Sequence, residues 1–97
     1  MTWTITHTHP YPTLHEAFDG AAKAALRHQG ERPSGRAVAA IIGEHPTYYA
    51  AILRGQNAPT TKKVMGWLEA FNATDRATIE LEVGGEGVVA RLVLGKT

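Results

Sequence analysis

The chain has 97 residues, a formal net charge of +1 and no cysteine. That length sets one domain with a modest core, which dimerisation would help to stabilise. Without cysteine there are no disulfides, no thiolate nucleophile and no thiolate zinc site. No run of 18 apolar residues and no basic-then-apolar leader pattern is present, so the reading is a soluble, unprocessed, cytoplasmic protein with no membrane contact.

The opening MTWTITHT alternates, with Trp3, Ile5 and His7 on one side and Thr2, Thr4, Thr6 and Thr8 on the other. That period reads as a short strand ended by Pro10 and Pro12, with a frayed tail as the alternative. Thr13-Leu14-His15-Glu16 is a capping box: Thr13 caps a helix start while Glu16 reaches back to the cap amide. Leu14, Phe18, Ala21, Ala22 and Ala25 follow on one helical face. Glu16, Asp19, Lys23 and Arg27 lie opposite, Asp19 and Lys23 forming a supportive i,i+4 pair, and Gly30 is the stop.

After the ERPSG loop, Ser34 is positioned to cap a short helix from Arg36 to Ile42 with Val38, Ala39 and Ile42 inward. Gly43 suits the left-handed exit of that helix. Pro46 suits the first turn of the next, where its missing N–H has no intrahelical partner. This second helix, Pro46 to Arg54, turns Tyr49 and Ile52 inward and Thr47, Tyr48 and Ala51 outward, and Gly55 closes it. Two short helices around a glycine turn are the helix-turn-helix form, whose second helix enters the DNA major groove. Beyond the GQNAP loop, Thr60 caps a further helix to about Phe71, with Val64, Trp67, Leu68 and Phe71 inward and Gly66 on the polar side.

From Ala77 the period changes to two. Ile79, Leu81 and Val83 alternate with Thr78, Glu80 and Glu82; glycines 84, 85 and 87 mark a turn, and Val88 to Leu94 forms a second strand. The expected register sets Val83 opposite Val88, Leu81 opposite Ala90, Ile79 opposite Leu92 and Glu80 opposite Arg91. Gly85 at the first turn position suits a type II′ hairpin. The charge is polarised along the chain. Residues 1–64 carry net +3, with Arg36, Arg54, Lys62 and Lys63 in the central stretch, and residues 65–97 carry net −2. Such a division suits a polyanion-binding face and a separate assembly face.

Ala39, Gly43, Ile52 and Gly55, followed by Asn57, Pro59, Val64 and Leu68, resemble the Cro/repressor-type helix-turn-helix (XRE-like, lambda-repressor-like) of phage repressors and antitoxins. The resemblance covers about Gly35 to Phe71. Glu44 departs from the small apolar residue usual after the turn glycine, and Tyr49 from the usual Ile or Val. The resemblance implies a mainly α, four-helix lambda-repressor-like domain with a short N-terminal strand and a C-terminal β-hairpin in a small antiparallel sheet. Residues 1–97 would form one domain: a helical core at 13–73, the helix-turn-helix at 35–54 and the hairpin at 77–94.

By position, the resemblance offers His45, Thr47, Tyr48 and Ala51 to base edges. Arg36, Arg54, Gln56, Asn57, Thr60, Lys62 and Lys63 would ring them as phosphate contacts. The expected partner is double-stranded DNA with a near-palindromic operator, bound by a homodimer. Dimerisation is expected through the hairpin residues Ile79, Leu81, Val83, Val89, Leu92 and Val93, with Trp3 and Ile5 covering part of the hairpin's apolar face if the N-terminal segment adds a strand. The expected role is a sequence-specific transcriptional regulator, a repressor or autorepressor of phage, mobile-element or antitoxin type. The alternative is a protein-binding module on the same scaffold, with a toxin or polymerase as partner. No enzyme, cofactor or metal is expected. His7, His9 and His15 lack an ordered second shell, Glu80 and Glu82 sit on a strand's polar face, and no serine is set beside a histidine and an acid.

Overall fold

Four helices and a small antiparallel sheet appear in a computed structural model that describes residues 3–6 and 11–94. The elements are β1 (Trp3–Thr6), α1 (Leu14–His28), α2 (Gly35–Ile42), α3 (Pro46–Leu53), α4 (Thr61–Asn72), β2 (Thr78–Gly84) and β3 (Gly87–Leu94). Among the described residues no helix is long and apolar enough to cross a membrane. His7 and His9 lie outside the described residues.

Local chemistry starts and stops the helices. Thr13, Ser34 and Thr60 each accept an amide of the first turn, from Glu16, Ala37 and Lys63 respectively. The capping box differs in one arm: the Thr13 hydroxyl donates to Glu16 Oε1 at 2.7 Å, so the carboxylate closes on the cap's side chain. Gly43 takes φ 77°, and the Glu44 amide reaches back to the Ala39 carbonyl at 2.9 Å. This is the bond of a Schellman ending, for which glycine pays no Cβ penalty. Gly66 is exposed, and a Cβ there would meet nothing within 4 Å. Gly66→Ala should therefore stabilise the fold by about 0.8–1.0 kcal/mol, read as a higher urea midpoint with an unchanged slope.

α1 is the central element. Beyond the expected face, Ala17, Ala24 and Leu26 are also buried, because the helix packs on α2, α4 and the sheet together. Phe18 lies against Trp67 (5.8 Å between centroids) and edge-on to Phe71 (6.1 Å). Tyr11 runs beside β3 through a paired bridge to Val88, and its ring lies over Gly20, where any Cβ would strike it.

The hairpin register is the expected one, including Ile79↔Leu92, Glu80↔Arg91 and Val83↔Val88. The turn is not type II′: the positive φ falls at Gly87 (134°) and not at Gly85. β1 pairs with β3, setting Ile5 opposite Leu92, so the strand order is β1-β3-β2 with β3 in the centre. α1 covers one face of the sheet, and Ile79, Val88, Ala90 and Leu92 are buried there within a single chain. This corrects the expected dimer surface: Ile79 and Leu92 belong to the core, and a second copy is not needed to hide them. Leu81, Val89 and Val93 are half-buried, and Val83 is 73 % exposed.

The outer edge of β2 is partly closed. Asn72 Oδ1 accepts the Ile79 amide at 2.8 Å and its Nδ2 donates to the Ile79 carbonyl at 3.2 Å. Both Ile79 groups therefore point away from β3. By the alternation of antiparallel pairing, the backbone groups of Leu81 and Val83 also point outward.

Candidate nucleic-acid interface

The turn between α2 and α3 is assembled from short-range bonds. After Gly43 and Glu44, His45 caps α3, its Nδ1 accepting the Thr47 amide at 3.2 Å. With Nδ1 as the acceptor, a neutral ring of the exposed His45 carries its proton on Nε2.

α3 divides as its sequence predicts: Tyr49 and Ile52 are buried, and Thr47 and Tyr48 are exposed. Ala51 is half-buried. The Tyr49 hydroxyl donates to Asp19 Oδ1 at 2.7 Å, and Asp19 Oδ2 pairs with Lys23 at 2.9 Å. Burial, and then the adjacent Asp19 carboxylate, holds the Tyr49 phenol far above its ordinary pKa. The phenol stays protonated, and the tie from α1 to α3 persists across physiological pH. Tyr49 thus supplies a polar anchor between α1 and α3 that isoleucine or valine at this position could not.

Of the expected phosphate contacts, Arg36, Arg54, Gln56, Asn57, Thr60, Lys62 and Lys63 are all exposed. The structure brings Arg36 and Arg54 together with Thr47 along one open groove of about 540 Å³, lined also by Lys23. Among the described residues no acidic side chain lines this groove. Among the described residues Arg36, Arg54 and Lys62 have no carboxylate within ion-pair distance. Lys23 reaches the groove from α1 but is paired with Asp19 at 2.9 Å, as its i,i+4 spacing predicts. Asn57 borders a different recess, beside Glu16 at the start of α1.

Lys63 is placed differently from its neighbour Lys62. Its Nζ lies 3.3 Å from Glu44 Oε2 and 5.1 Å from the centre of the Tyr48 ring. Glu44 Oε2 also accepts from the Trp67 indole at 2.9 Å. Glu44 therefore links the turn to α4. Elsewhere Arg76 pairs with Glu31, and Arg91 with Glu80 and Glu82, while the exposed Arg27 and Arg32 form no ion pair among the described residues. Among the described residues no group of three metal-ligating side chains converges. Compared with protein-family models, with curated proteins and with solved structures, the chain matches none of them.

Proposed function

We propose that this protein is a sequence-specific, double-stranded-DNA-binding regulator of lambda-repressor-like fold, acting as a homodimeric repressor. The observation that carries the reading is the groove in which Arg36 and Arg54, neither of them ion-paired among the described residues, flank Thr47 at the exposed start of α3. A duplex backbone needs unpaired cations arranged beside a protruding helix, and side chains at the helix start can then reach base edges. Repression, and an operon setting of phage, mobile-element or antitoxin type, rest on the family resemblance of the α2–α3 residues.

The two copies would pair through the outer edge of β2. Asn72 occupies that edge at Ile79, so the pairing is confined to the backbone groups of Leu81 and Val83, with the exposed Val83 side chain beside it. A two-fold axis there would present two α3 helices to half-sites about 34 Å apart on a near-palindromic operator.

Salt titration of duplex binding tests the reading. Log affinity should fall steeply with log salt, and Arg36→Ala and Lys62→Ala should each flatten the slope by about 0.9 on every sequence alike. Thr47→Ala should instead change preference at one or two base positions by about 1–3 kcal/mol. Binding that is weak and indifferent to salt would favour the protein-binding alternative.

A further inference from the structure

We propose that Glu44 is a built-in counter-ion that withholds Lys63 from the DNA backbone and holds it over the Tyr48 ring, limiting non-specific affinity and preserving base reading by Tyr48. The inference rests on the DNA-binding reading above and concerns the same face.

Four side chains carry it. Glu44 lies in the α2–α3 turn, and its side chain is only 17 % exposed, whereas that of Lys63 is 41 % exposed. One carboxylate oxygen serves both partners, accepting from Trp67 Nε1 at 2.9 Å and lying 3.3 Å from Lys63 Nζ. The indole is itself buried against Phe18 and Tyr49, so the carboxylate is fixed from the core outward. The ammonium it positions stands 5.1 Å from the centre of the Tyr48 ring, a distance at which a cation is attracted to the ring face. Tyr48, the bulkiest of the outward residues of α3, is thereby given a fixed neighbour.

The electrostatic consequence follows from charge. A lysine already neutralised by a carboxylate releases no counterion when a phosphate approaches, and the carboxylate itself repels that phosphate. Lys62, one residue away and without an acidic partner, behaves in the opposite way. Of two adjacent lysines at the start of α4, one should therefore add to non-specific DNA affinity and the other should not. The sequence resemblance had assigned both to phosphate.

The test uses the full chain and two duplex probes, a selected operator and a random sequence, titrated with salt by fluorescence anisotropy. Glu44→Gln keeps an oxygen for the Trp67 indole and removes the charge. It should bind random duplex about fivefold more tightly, steepen the log–log slope by about 0.9, and narrow the operator-to-random ratio. Lys63→Gln by itself should leave the slope unchanged, and the double variant should restore the wild-type slope. Far-ultraviolet circular dichroism and a cooperative thermal transition check that each variant is folded. If Lys63→Gln lowers the slope as Lys62→Ala does, or Glu44→Gln leaves it unchanged, Lys63 already meets phosphate and the inference is overturned while DNA binding stands. If neither wild type nor Glu44→Gln binds duplex even at low salt, the DNA-binding reading itself falls and takes the inference with it.

Discussion

Leu92→Glu should abolish the folded state rather than merely prevent two copies from pairing. Leu92 is fully buried in the central strand β3, between Ile5 and Ile79 in register and beneath α1. A carboxylate there has no described cation to meet, since Arg91 points to the opposite face toward Glu80 and Glu82. Leaving a buried charge uncompensated costs about 3–5 kcal/mol. The lost leucine packing adds about 2–5 kcal/mol. A domain of this size has about 5–15 kcal/mol in total. The expected result is loss of the cooperative thermal transition and of helical circular dichroism together. Val83→Glu, 73 % exposed on β2, is the matched control and should change stability by no more than about 0.5 kcal/mol. Its effect should fall on dimerisation, measured by sedimentation. A Leu92→Glu protein that keeps its helices and unfolds cooperatively would mean that the hairpin is not part of the core.

Trp67→Ala should cost about 3–5 kcal/mol, lowering Tm by more than about 12 °C in a domain of this length. The ring is 3 % exposed and lies between Phe18 of α1 and Tyr49 of α3, with centroids 5.8 and 5.3 Å away. Its loss opens a cavity at the point where α3 rests on α4, and strips one donor from Glu44. Binding to duplex should fall with stability, because α3 has only two buried side chains, Tyr49 and Ile52, to hold its orientation. Trp67→Phe separates packing from hydrogen bonding: it keeps an aromatic ring against Phe18 and loses the indole donor. The phenylalanine variant should retain most of the stability. Equal losses in the two variants would show that the bond to Glu44, and not the ring, carries the contact.

Bonds between near neighbours in the chain were legible from the residues. The caps at Thr13, Ser34 and Thr60 reach three residues along the chain, the Gly43 exit needs only its own φ, and the hairpin register follows from alternation across a two-residue turn. The inward placement of Tyr49 and outward placement of Tyr48 follow from helical period alone. The basic residues Arg36, Arg54, Lys62 and Lys63 were singled out by the resemblance of the contiguous α2–α4 stretch and not by helical period.

Tertiary structure decided what covers what. An apolar hairpin face has the same pattern whether a helix or a second chain hides it, and only the placement of α1 assigns Ile79 and Leu92 to the core. The Asn72 clamp on Ile79, the Tyr49–Asp19 bond and the meeting of Glu44 with Trp67 and Lys63 join residues 7 to 30 apart. No periodicity encodes such pairs. A polar side chain facing outward on its own helix has the same spacing signature whether it ends in water or on a neighbouring element. Packing therefore determines whether Lys63 is a free cation or the partner of Glu44.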